Sequence, residues 1–140
     1  MNLQHITDAY IKNYRHRLSR AWEINTGNCF RYAMIVHQLY GGILWTVDVH
    51  DREDNYYGSH AFIKIDNRFY DAETAIDGVV DWELFPYFER LKSSEVINVE
   101  YIIRKHSSIR DFKKHWQPTK KESKADQKLL KKLQRTKNDS

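Results

Sequence analysis

An α+β domain, with an antiparallel sheet packed against helices and a basic helix towards its C-terminal end, is the fold class that the sequence predicts. Three observations predict it. Apolar residues recur at spacings of three and four through the first forty residues. Short β-branched and aromatic runs then alternate with turn residues from Ile43 to Ile103. Beyond residue 112, lysines crowd around a narrow apolar stripe. A chain of 140 residues suits one main core, and its 41% hydrophobic and 14% aromatic content can fill it.

Leu3, Ile6, Tyr10, Tyr14 and Leu18 predict one amphipathic helix over residues 3–20. Gly27-Asn28 interrupts it, and a second helix is expected from Cys29 to Tyr40, stopped by Gly41-Gly42. Phe30, Ala33, Met34 and Val36 make this helix apolar enough to be more deeply buried. Ile43–Val49 reads as a strand and His50–Gly58 as a polar loop. Ala61–Tyr70 holds two short strands about an Asp66-Asn67 turn, and Asp77-Gly78 marks a further turn. Asp81 is a candidate cap for a helix containing Trp82, Phe85, Phe88 and Leu91, with Pro86 either in its first turn or breaking it. Val96–Ile103 follows as a strand, with Val99, Tyr101 and Ile103 on one side. Ser108 and Asp111 open a short helix ending near Trp116.

Pro118 divides a domain of residues 1–117 from a helical tail of residues 118–140. There Thr119 and Glu122 form a capping box, and Ala125, Leu129, Leu130 and Leu133 make the apolar stripe. The stripe leaves three outcomes open: docking on the body, pairing with a second subunit, or a helix marginal on its own.

The formal charge of +4 conceals an asymmetry. Residues 1–112 carry 13 Lys and Arg against 16 Asp and Glu, whereas residues 113–140 carry 10 against 3. The basic segment 120–137 is a candidate contact for nucleic acid or an acidic protein, and equally a solvated helix face. No apolar run approaches the length of a membrane span, and the first residues do not read as a signal peptide. A single cysteine cannot form an internal disulfide, which fits a reducing, cytoplasmic setting. There is no paired-cysteine motif, no His-Glu-x-x-His and no glycine-rich phosphate loop after a strand, so neither a metal nor another cofactor is expected.

The residues that can carry chemistry are Cys29, His60 and Asp71. Cys29 follows Gly27-Asn28 and opens a helix, where unpaired backbone N–H groups and the helix dipole favour a thiolate and can hold an oxyanion. Taken alone, it is equally a buried structural cysteine. Hairpin arithmetic links the other two. With Asp66 and Asn67 as the turn, Ile65 pairs with Arg68, Phe62 with Asp71 and His60 with Glu73. His60, Phe62, Asp71 and Glu73 then share one face, with His60 and Asp71 as diagonal neighbours. A turn one residue longer would put Ala72 in Asp71's place. Glu73 is the reserve carboxylate. Tyr56-Tyr57 are candidates for a rim or lid; Trp45 and Tyr70, in strands, are expected in the core.

Gly27-Asn28-Cys29, Ser59-His60-Ala61-Phe62 and Phe69-Tyr70-Asp71, in that order, resemble the papain-like and transglutaminase-like cysteine enzymes, most closely the small transglutaminase-like domains. The likeness covers about residues 24–75. It implies a papain-like α+β fold and thiol acyl transfer on an amide, ester or isopeptide of a peptide or protein substrate. The activity would be that of a thiol protease or other hydrolase, or of an acyltransferase. Cys29 would be the nucleophile, His60 the base and Asp71 its orienting group. Papain-like members place a Gln six residues before the cysteine, where this chain has Glu23; Asn25, Asn28, Trp22 and the backbone N–H of Cys29 remain as oxyanion donors. The alternative is an inactive binding protein of the same fold, engaging a protein or nucleic acid through its groove and basic tail. A third reading gives the tail to oligomer assembly.

Overall fold

The computed structural model describes residues 1–51, 53–77, 85–92 and 99–139. The elements run α1 (Leu3–Asn13), α2 (Ala21–Gly27), α3 (Cys29–Tyr40), β1 (Ile43–Asp51), β2 (Tyr56–Ile65), β3 (Arg68–Tyr70) and β4 (Ala75–Asp77). They continue with α4 (Pro86–Lys92), β5 (Val99–Lys105), α5 (Ile109–Lys113) and α6 (Lys120–Asp139). Five strands form one antiparallel sheet in the order β4-β3-β2-β1-β5.

Because strand side chains alternate, the sheet serves two clusters. Leu44, Ala61 and Ile63 join Ile6, Tyr10, Ile24, Tyr32, Ile35 and Val36 from the helices α1, α2 and α3. Val47, Val49, Phe62 and Phe69 pack with Phe85 and Phe88. The fold is therefore a mixed α+β structure with an antiparallel sheet packed against helices.

The helix expected over residues 3–20 ends early. Tyr14 caps α1 through N–H bonds to the carbonyls of Tyr10 and Ile11, and a tight turn follows. Tyr14 and Leu18 stay buried, so the apolar spacing survives while the helix does not. The seven-residue α2 has no counterpart among the expected elements. Glu23 starts it by accepting from the backbone N–H groups of Ser19 and Arg20 and from the Ser19 hydroxyl. The single residue Asn28 then separates α2 from α3. Gly41 and Gly42, with φ of 73° and 90°, end α3. A Cβ on Gly42 would lie 2.5 Å from the Lys64 carbonyl oxygen, so the strand behind it requires glycine there.

The expected loop His50–Gly58 is mostly strand. β1 continues to Asp51 and β2 begins at Tyr56, with a register irregularity after Val49. Polar residues disguise these strand ends because they bond from strand to strand: the Ser59 hydroxyl donates to Asp48 at 2.5 Å, and Arg104 pairs with the same carboxylate. Asp66, at φ 54°, opens the next turn, and β3 pairs in the register Ile65↔Arg68, Lys64↔Phe69 and Ile63↔Tyr70. Asp81 and Trp82 lie outside the described residues, as do Gly78 and residues 96–98; Pro86 occupies the first turn of α4. On β5, Tyr101 packs with the second cluster, whereas Ile102 and Ile103 are both 42% exposed, consistent with an edge strand.

The basic C-terminal helix α6 is docked. Leu129, Leu130 and Leu133 are buried with residues of α1 and α3. Arg31 of α3 binds Asp126 at 2.8 Å and Glu122 at 3.3 Å. The leucines that the assembly reading would use are occupied within the chain.

Candidate active site

The site forms where the sheet has a gap. β3 pairs with β2 only over Ile63–Ile65. Upstream, the free edge of β2 meets the α2–α3 junction and the turn that follows β3. The N-terminus of α3, which has no side-chain cap, supplies Cys29. The middle of β2 supplies His60, and the residue after β3 supplies Asp71.

His60 and Asp71 are 0% and 2% exposed, and His60 Nε2 lies 3.0 Å from Asp71 Oδ2. The carboxylate is held from its other side. Asp71 Oδ1 accepts the backbone N–H groups of Glu73 and Thr74 at 2.8 and 2.9 Å, while the Asp71 N–H donates to the Thr74 carbonyl. This local loop fixes the carboxylate without help from a long-range contact. His60 Nδ1 has no hydrogen-bond partner in the structure.

Cys29 is a free thiol, 4% exposed, with Sγ 4.0 Å from the Ser59 carbonyl oxygen. Burial opposes charge on the imidazole, but the hydrogen bond with Asp71 and then the neighbouring Cys29 sulfur outweigh it and raise the His60 pKa to about 9. A folded value above the ordinary 6.5 stabilises the fold fully below pH 6.5, and that contribution disappears as pH rises through 9. The difference corresponds to about 3 kcal/mol. Urea midpoints measured from pH 6 to 10 are expected to fall more steeply for the native chain than for His60→Gln. Parallel curves would show that the imidazole carries no such linkage.

Aromatic rings enclose the imidazole. Tyr87 of α4 stacks on it at 4.5 Å and 11°, and Phe85 and Phe88 meet it edge-on. The Tyr87 hydroxyl is pushed up to about 12 by burial and by the nearby Cys29. A Cβ on Gly58 would approach that hydroxyl to 2.7 Å. Outside this layer, Trp22 and Thr26 of α2, Tyr56, Gly58 and Ser59 of β2, and Tyr87, Arg90 and Leu91 of α4 line a cleft of about 520 Å³. Ser59 and Tyr87 separate the cleft from the sulfur.

The side-chain oxyanion donors divide clearly. Asn25 is 1% exposed; its amide donates to Glu73 at 3.0 Å, and its oxygen accepts the Ala72 N–H at 3.4 Å. Asn28 Oδ1 accepts from Tyr10 and Arg31. The Asn25 amide nitrogen is thus engaged in structure, whereas the two Asn28 bonds use its oxygen and leave its amide N–H groups as candidate donors. Trp22 stands 43% exposed in the cleft wall, with Arg90 6.0 Å from its ring. Glu23 faces the start of α2, where hydrogen bonds from Ser19 hold its carboxyl below its ordinary value. Glu73 is likewise committed, to Asn25 and to a bidentate pair with Arg90 at 2.6 and 3.0 Å.

Tyr87 and Arg90 are the neighbours of the site that sequence reasoning missed. The apolar spacing of Phe85, Phe88 and Leu91 marked the buried face of α4, but nothing in it identified Tyr87 as the ring over His60. Tyr56 does line the cleft. Among the described residues, no group of three or more His, Cys, Asp or Glu side chains forms a metal site, and no helix is long and apolar enough to cross a membrane. The chain matches no protein-family model, no curated protein and no solved structure.

Proposed function

We propose that the protein is a thiol-dependent acyl-transfer enzyme of the papain-like or transglutaminase-like kind, acting on an amide, ester or isopeptide bond of a peptide or protein. The observation that carries this reading is the wholly buried His60–Asp71 pair at 3.0 Å, directly after Ser59, whose carbonyl oxygen lies 4.0 Å from Cys29 Sγ.

In the proposed reaction, the Cys29 proton has passed to His60 before Sγ bonds to the carbonyl carbon, as the raised His60 pKa favours, and Asp71 holds the resulting imidazolium in place. The backbone N–H of Cys29, with Asn28 and Trp22 as side-chain candidates, faces the oxyanion. Collapse of the tetrahedral intermediate passes the His60 proton to the leaving amine or alcohol and leaves a thioester on Cys29. Water then gives hydrolysis, and an amine gives transamidation. Tyr87 must swing aside to admit the substrate from the cleft. A lone thiol that has to stay reduced suits the cytoplasm.

Alkylation by iodoacetamide at pH 7, followed by mass spectrometry, tests the proposal. An isolated thiol is only a few per cent thiolate at this pH, so loss of the proton acceptor in His60→Ala is expected to slow labelling at least about tenfold. Tyr87→Ala is expected to accelerate it by uncovering the sulfur. Labelling of the native chain no faster than that of His60→Ala, even in the Tyr87→Ala background, would overturn the assignment.

A further inference from the structure

Helix α6 presents two chemically distinct faces. Leu129, Leu130 and Leu133 are buried against the body. The acidic residues of its first two turns, Glu122 and Asp126, are both drawn inward to Arg31. Opposite them, Lys121, Lys124, Lys128, Lys131, Lys132 and Arg135 are all exposed and have no ion-pair partner among the described residues. At 100° per residue these six fall within an arc of about 100°, and they span about 21 Å. The turn after α1 extends this surface: Arg17 and His16 face Lys121, Lys124 and Lys128 across a groove of about 400 Å³.

We propose that this face binds the phosphate backbone of duplex nucleic acid without reading its sequence. Duplex DNA carries one phosphate charge about every 1.7 Å of its axis, both strands counted, so the length of the stripe faces roughly twelve charges, more than its six cations can neutralise. Asp126 is paired inward, and Glu122, 35% exposed and itself lining the groove, is held by Arg31, so the six cations outnumber the acidic charge on this face. The stripe holds no aromatic side chain on which an unpaired base could stack, which favours a duplex over a single strand. Its lysines act as point charges that contact phosphate but lack the planar fork suited to base edges. Insertion into a membrane surface as an amphipathic helix would need the apolar face of α6, and that face is buried against α1 and α3.

The test uses the full chain and a fluorescein-labelled 20-base-pair DNA duplex, with anisotropy titrations between 50 and 200 mM salt. The slope of log affinity against log salt is expected to be about −5. The triple variant Lys124→Gln, Lys128→Gln, Lys131→Gln should reduce its magnitude by about 3, equally for unrelated duplex sequences. Lysine-to-arginine replacements at the same positions should restore it. All three sites are exposed, so the urea midpoint should stay within error of the native value. Absence of binding at 50 mM salt, or an unchanged slope in the triple variant, would overturn the proposal. Tighter binding to a 20-nucleotide single strand, polyglutamate or anionic vesicles than to the duplex would do the same.

Discussion

Replacing Asp71 with alanine is expected to cost about 4 kcal/mol, a large part of the 5–15 kcal/mol that holds a typical domain folded. The carboxylate satisfies two backbone N–H groups and the ring nitrogen of His60, all in the interior. Each buried donor left without a partner costs about 1–3 kcal/mol, and breaking a buried ion pair costs about 3–5 kcal/mol. These terms overlap, because an orphaned His60 can release its proton and avoid remaining charged. Asp71→Asn separates them. Its carbonyl oxygen still accepts from Glu73 and Thr74, so about half of the loss should return, whereas the charge that holds an imidazolium is gone. Urea midpoints at pH 7 for the three proteins, with iodoacetamide rates alongside, read both effects. A cost below 1 kcal/mol for Asp71→Ala would show that the turn after β3 closes without its side chain.

Arg31→Met is expected to lower Tm by about 10 °C, corresponding to roughly 3 kcal/mol. The Arg31 guanidinium bonds Asp126 through Nε and one terminal nitrogen at 2.9 and 2.8 Å, and reaches Glu122, Asn28 and the Tyr14 hydroxyl. Its removal leaves Asp126, whose side chain is only 14% exposed, facing an apolar methionine. Glu122, more than twice as exposed, contributes little. Arg31→Met combined with Asp126→Leu should recover at least half of the loss, since an apolar pair of similar volume often replaces a buried ion pair at little cost. Thermal melts of the two single variants and the double variant measure the coupling. Additive losses would mean that α6 is held by its leucines alone.

The local parts of this structure were legible in the sequence. A two-residue turn at Asp66-Asn67 sets the β2–β3 register as the sequence predicts from Ile65↔Arg68 to Ile63↔Tyr70, but the ladder stops there. In place of the expected Phe62–Asp71 and His60–Glu73 pairs, the turn closed by Glu73 and Thr74 brings the Asp71 carboxylate to His60 at 3.0 Å. The start of α3 at Cys29 was likewise marked by Gly27-Asn28. What escaped depended on partners distant in sequence or on ambiguous local signals. Polar residues at 50–59 suggest a loop until Asp48, Ser59 and Arg104 are seen to bond across the sheet. The α2 helix is short and its cap is a Glu23 side chain, which sequence comparison weighed for its effect on an oxyanion. Tyr87 occupies a position that helical periodicity assigns to neither face with clarity. The docking of α6 turns on Arg31, which looks like an ordinary surface cation in a window of nearby residues.

The clasp between Arg31 and Asp126 joins positions 95 residues apart, whereas His60 and Asp71 are separated by only 11. During synthesis the hairpin's own residues emerge close together, and the rings of Phe85, Tyr87 and Phe88 that enclose the imidazole follow within about thirty residues of it. The guanidinium has to wait until nearly the whole chain has been made, and until then it favours a hydrated, loosely joined helical layer over a dry one. The imidazole–carboxylate pair is therefore expected to assemble early on the ribosome, and the layer beneath it to lock last.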